Sequence, residues 1–147
     1  MKRILVATDG SDGADQAADF AIDLCEEMGS TLDVLAVRPR LRPGKGGPAI
    51  PIGEIEEQHG AEHIAQRVCD RAAGKGVAAT PHHAFGNAAD DIDALARELE
   101  ADLIVVGSRG LGTVAGALLG SVSRAVIKRS LIPVTVVRAE ARAKVEA

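Results

Sequence analysis

Five short apolar runs, separated by four segments of helical spacing, constrain the fold of this chain more than any other feature. The runs are residues 3–8, 31–37, 77–85, 103–106 and 132–137. After the first, Ala14, Ala17, Ala18, Ala21, Leu24, Cys25 and Met28 make one apolar stripe at helical spacing, closed by Gly29. Ile64, Ala65, Val68 and Ala72 mark a second stripe, which stops near Gly74 and Gly76. Ala88, Ile92, Leu95, Ala96 and Leu99 mark a third, with Asn87 as its expected N-cap, and residues 121–129 form the last helix. Unbroken strand–helix alternation of this kind belongs to a parallel sheet covered on both faces. Pro81 lacks the N–H a central strand needs, which puts the third run at a sheet edge. Right-handed crossovers and a ligand-type loop after the fourth run predict strand order 3-2-1-4-5, with the switch point between strands one and four. The expected architecture is therefore α/β: a single-domain, doubly wound, open parallel five-stranded sheet with helices on both faces.

The chain has 147 residues, the length of one ordinary domain. Its 46% hydrophobic content is mostly Ala, Val, Leu and Ile, with Phe20 and Phe85 the only aromatics. That favours close helix-on-sheet packing and argues against a stacking platform for single-stranded nucleic acid. A net charge of −4 supplies no general attraction to nucleic acid or to an anionic membrane. No apolar run approaches the roughly 20 residues of a membrane span, and the N-terminus leads straight into a strand, so a cytoplasmic protein without a signal peptide is expected. Cys25 and Cys69 lie singly in helical patterns and read as buried thiols. Residues 139–147 carry no apolar stripe and are expected to fray, leaving 1–138 as the domain.

Chemistry concentrates after the fourth run. Gly107-Ser108-Arg109-Gly110 is followed nine residues later by Gly120-Ser121-Val122-Ser123, where the last helix begins. Glycines let backbone N–H groups approach a phosphate, and the helix start adds unpaired donors and a positive dipole end. Ser121 can act as N-cap or turn its hydroxyl to a ligand or metal. No lysine follows Gly110 or Gly120, so this is not a Walker A loop. Gly110-Leu111-Gly112 lacks the third glycine of a dinucleotide fingerprint, and it follows the fourth strand, not the first.

Gly107-x2-Gly110-x9-Gly120-Ser121 resembles the G-x2-G-x9-G-[ST] signature of the ATP-binding branch of the universal stress protein family. Residues 3–11 (Arg3 to Ser11) resemble that family's first strand and acidic turn, residues 101–107 its fourth strand, and residues 120–137 its last helix and strand. The likeness covers residues 2–138. It implies a fold like that of the adenine nucleotide alpha hydrolases, and a module that binds ATP, with Mg²⁺ expected, in a nucleotide-dependent stress response. It also implies a homodimer through the fifth strand, and the apolar Val134, Val136 and Val137 on that expected edge agree. The alternatives are a slow ATPase using the same loop, and a scaffold that binds no nucleotide.

The resemblance, with the place of Arg109 in the loop, gives the candidate nucleotide-binding residues. They are Ala7, Thr8, Asp9, Val37, Gly107, Arg109, Gly110, Gly120, Ser121, Val122 and Ser123. Asp9 is expected against ribose or adenine, with a turn or capping role as the competing reading. For Ala7, Thr8 and Val37 the competing reading is ordinary strand packing. No catalytic residue is proposed, because nothing resembles a nucleophile triad or a phosphoryl-transfer base. Metal ligands beyond the nucleotide remain open. Arg38, Arg40, Arg42 and Lys45, in the Pro/Gly-rich loop 38–53, fit either a basic lid over the phosphates or a solvated loop. His59-x-x-Glu62-His63 matches an inverted zinc-protease pattern, but both histidines fall opposite the apolar stripe of their helix. Of His82 and His83, one is expected to face a helix and the other solvent, without an assigned role.

Overall fold

The computed structural model describes residues 1–38, 51–109 and 119–138, with residues 51–59 described by their backbone. The chain runs β1 (Arg3–Thr8), α1 (Asp12–Met28), β2 (Thr31–Arg38), α2 (Pro51–Gly74), β3 (Ala79–Phe85), α3 (Ala88–Glu98), β4 (Leu103–Gly107), α4 (Ser121–Arg129) and β5 (Val134–Val137). All four strand pairings are parallel and the order is β3-β2-β1-β4-β5, as the sequence predicts. Pro81 lies on the edge strand β3.

Alternation along each strand divides the core into two layers. Ile4, Val6, Val34, Ala36 and Val105 face α1 and α2, where they meet Ala17, Ala18, Ala21, Ile22, Ala65 and Val68. Leu5, Leu35, Ile104 and Val106 face α3 and α4, where they meet Ile92, Ala96 and Val126. Ala17, Ala18 and Ala21 have no solvent exposure, so α1 lies close against the sheet. Truncating a fully buried Ile92 or Ile104 to Ala costs about 2–5 kcal/mol. Cys25 and Cys69 are both free and buried in the first layer, as expected. Burial, with a smaller contribution from the Asp33 charge, pushes the Cys25 thiol up to about 11. Burial raises Cys69 as well.

β2 and β4 each run one residue beyond the sequence reading, to Arg38 and Gly107, and three starts differ from it. α2 opens at Pro51, well before its apolar stripe, and proline suits the first helical position because no N–H is required there. Residues 39–50, with Arg40, Arg42 and Lys45, lie outside the described residues, as does the tail 139–147. β3 starts at Ala79, not Val77. β5 starts at Val134, not at residue 132, because Pro133 offers only a carbonyl, which accepts from the Ile104 N–H, and Leu131 is almost wholly exposed.

His82 has a partner that its sequence context did not reveal. Its Nε2 lies 2.8 Å from Oδ1 of the buried Asp33, whose Oδ2 lies 3.3 Å from Arg3 Nε. Arg3 also donates through Nη1 to the Leu99 carbonyl at the end of α3. This cluster sits toward the N-terminal ends of the strands, away from the cleft described next. His83 is exposed and meets the Phe85 ring edge-on.

Candidate functional site

Thr8 and Gly107 end β1 and β4, Val37 is next to last in β2, and a cleft of about 470 Å³ opens above them at one edge of the sheet. Four places in the chain supply much of its wall. Ala7 and Thr8 end β1 and Asp9 follows it, Val37 lies near the end of β2, Val106 and Gly107 end β4 with Ser108 and Arg109 beyond it, and Gly120 to Ser123 begin α4. Ten of the eleven candidate residues therefore line one cavity. Gly110 lies outside the described residues.

The turn after β1 is held by its own hydrogen bonds. Gly10 N donates to Thr8 Oγ1 (3.1 Å), and Ser11 N donates to Asp9 Oδ1 (2.9 Å). Ser11 then caps α1, its Oγ accepting from Ala14 N at 3.3 Å. The turn role weighed for Asp9 is thus real, and the helix cap falls to Ser11. Asp9 still lines the cleft, and it is the one carboxylate among the described residues that do.

α4 begins one residue earlier than a serine cap would have it. Gly120 is the N-cap, and Ser121 is the first helical residue with no capping bond. Gly120 N donates to Ser108 O (2.6 Å), which fastens the helix start to the end of β4. Ser121 is exposed. Ser123 is buried, and its hydroxyl donates to the Gly120 carbonyl at 3.0 Å. Its hydroxyl is thereby occupied within α4, which leaves Ser121 as the serine side chain turned outward.

Three helix N-termini border the cleft, and their electrostatics differ. α1 has the Ser11 cap with Asp12 and Asp15 in its first turn. α3 has the Asn87 cap, whose Oδ1 accepts from Asp90 N at 3.1 Å, with Asp90 and Asp91 in its first turn. α4 has no side-chain cap and no acidic residue in its first turn. The positive dipole ends of α1 and α3 are offset by their own acids, while that of α4 is left for an incoming anion. Arg109, exposed beside it on the cleft, adds positive charge.

The β3–α3 wall was missed by sequence reasoning. Gly86, Asn87, Ala88 and Ala89 line the cleft although β3 lies two strands from β1. α3 packs against α4, so its N-terminus is brought over to the switch point. The signal was the Asn87 cap itself: in a parallel sheet every strand–helix turn of this sense opens on the same edge. His63 is exposed on α2, and among the described residues no group of three His, Cys, Asp or Glu is gathered for a metal.

Comparison with known proteins agrees with this architecture. The family model described as the universal stress protein family matches residues 1–138. Universal stress protein YxiE of Bacillus subtilis is 36% identical over 147 residues, covering 94% of this chain and 99% of its own. A universal stress protein of Mycobacterium tuberculosis is 32% identical, covering 92% and 95%. Among solved structures, a universal stress protein in complex with cAMP superposes with a TM-score of 0.70 at 30% identity, covering 95% and 98%. One from Archaeoglobus fulgidus in complex with dAMP gives a TM-score of 0.61 at 26% identity, covering 93% and 98%. With the parallel 3-2-1-4-5 sheet in place and a family match along all but the tail, the chain belongs to the universal stress protein family.

Proposed function

We propose that the cleft binds an adenine nucleotide, with the phosphates on the N-terminus of α4 and the nucleoside against Ala7, Thr8, Asp9 and Val37. The observation that carries this reading is the open, acid-free start of α4 beside two helix starts closed by caps and acids. Two related structures, bound to cAMP and dAMP, support it. Within this reading Gly107 and Gly120 shape the loop and Ser121 and Val122 present backbone N–H groups. Ser123 acts through its backbone, its hydroxyl being committed to Gly120. Arg109 supplies the charge that a Walker lysine would give, and Gly110 completes the motif.

The expected physiological ligand is ATP, with Mg²⁺ carried by its phosphates, and the module acts as a nucleotide-dependent stress-response element in the cytoplasm. Among the described residues no helix is long and apolar enough to cross a membrane. A homodimer through β5 is part of the proposal. Val134, Val136 and Val137 are only partly buried on that edge, and Ile127 and Leu131 nearby are exposed. Charge placed at Val136 should give monomers in sedimentation, and an unchanged profile would refute this interface.

The test is to denature freshly purified protein and identify any released nucleotide by chromatography and mass spectrometry. An adenine nucleotide near one per chain is expected, and Gly120→Val should remove it while the fold survives. No nucleotide, followed by no thermal shift with Mg-ATP, AMP or cAMP, would overturn the reading. Recovered ADP would instead favour slow turnover.

A further inference from the structure

Two glycines bracket the Asp9 turn, and both direct the place of their missing side chain at protein. A Cβ on Gly107 would stand 3.0 Å from the carbonyl oxygen of Gly13 and 3.2 Å from its carbonyl carbon, in the first turn of α1. A Cβ on Gly10, which holds φ 84°, would stand 3.0 Å from Cδ1 of Ile64 on α2. Neither Gly13 nor Ile64 lines the cleft. Between these contacts the stretch from Thr8 to Ala14 is tied by three local hydrogen bonds and behaves as one piece. It is gripped on one side by α2 and on the other by the end of β4. The same end of β4 is fastened to α4, because Ser108 O accepts from Gly120 N.

We infer that Gly107 and Ile64 are positioning residues: their contacts with Gly13 and Gly10 set the separation between the Asp9 carboxylate and the N-terminus of α4. They thereby gauge the length of ligand that reaches both. The inference rests on the nucleotide reading above and deepens it. The first glycine of the loop is small because α1 must pass against it. A methyl group there forces the first turn of α1 and the end of β4 apart by a few tenths of an ångström, and truncating Ile64 lets the other side of the turn relax. A ligand that spans both ends loses alignment, whereas a fragment that touches only one end does not. Small misplacements of this kind are expensive for a spanning ligand, so about a tenfold loss is expected.

The experiment compares AMP, adenosine and inorganic phosphate by calorimetry on the full chain and on Gly107→Ala, Ile64→Ala and Gly29→Ala. Gly29 caps α1 far from the cleft at φ 66° with no atom near its Cβ position, so it controls for lost stability alone. Gly107→Ala and Ile64→Ala should lose about tenfold in AMP affinity and less than about twofold for each fragment, while Gly29→Ala keeps all three. Equal losses for AMP and adenosine, or an unchanged AMP affinity in both variants, would overturn the gauge. If Gly107→Ala does not fold, Ile64→Ala decides. If the unsubstituted chain binds none of AMP, cAMP and Mg-ATP, the nucleotide reading falls. Amide exchange without ligand then tests the contact: faster exchange at residues 9–14 in Gly107→Ala and Ile64→Ala, beyond that in Gly29→Ala, is expected. Unchanged exchange would overturn it.

Discussion

α3 and α4 both begin on the same cleft, yet one start is closed and the other open. α3 spends Asn87 on its own backbone and places Asp90 and Asp91 in its first turn, and Arg129 of α4 forms an ion pair with Asp90. α4 starts from Gly120 with no side-chain cap, no acid, and basic residues gathered in its last turn at Lys128 and Arg129. A capped helix start is more stable by about 1 kcal/mol, and an uncapped one keeps donors for a ligand. The difference teaches that capping, as much as glycine content, tells a binding turn from a structural one.

Making α4 resemble α3 should have the largest effect. Ser121→Asp places a carboxylate where the phosphate is proposed to sit, and AMP affinity should fall by about tenfold or more. Thermal stability should hold or rise slightly, since an acid favours a helix start. Unchanged affinity in calorimetry would break the comparison. Asp9→Ala follows, with adenosine and AMP both weakened by about tenfold if the carboxylate holds the ribose. Loss for AMP alone would move Asp9 toward the phosphates. Opening α3 with Asn87→Ala should cost about 1 kcal/mol in denaturant unfolding and leave phosphate affinity in place. A loss of phosphate affinity there would assign the anion to the wrong helix.

The smallest effect tests an ordinary strand join at the other end of the sheet. Asp102 Oδ2 accepts from Lys2 N (2.7 Å) and Arg3 N (3.0 Å), and these bonds hold its carboxyl below the usual carboxylate range. A depressed folded value stabilises the protein above the unfolded carboxyl range, and this is lost as pH falls through the folded value. The stability gap between the protein and Asp102→Asn should therefore be present at neutral pH and close in acid. A gap that persists in strong acid would assign the effect to something other than this charge.

Much of the fold was legible because it rests on periodicity. The alanine stripe of α1, the apolar strands and the edge position signalled by Pro81 are each local patterns, and right-handed crossovers turn them into one strand order. The lining of the cleft was legible where the motif carries it, at Ala7 to Asp9, Gly107, Arg109 and Gly120 to Ser123. What stayed hidden depends on contacts between distant residues. Gly86 and Asn87 reach the cleft only because α3 packs beside α4. The need for a glycine at 107 comes from Gly13, across nearly a hundred residues of chain. His82 finds Asp33 by strand register, which no single run displays. The Ser121 cap was off by one residue, since Gly and Ser both suit a helix start.

Burial of the two cysteines has a consequence for oxidative chemistry. Peroxides and disulfide reagents attack the thiolate, and burial, which pushes Cys25 up to about 11, keeps that form scarce at neutral pH. Cys69 is shifted the same way. Among the described residues, an oxidant reaching the folded chain meets the exposed thioethers of Met1 and Met28 first. Sulfoxide on Met28, at the last position of α1, would leave the buried sulfhydryls and the sheet beneath them unmarked.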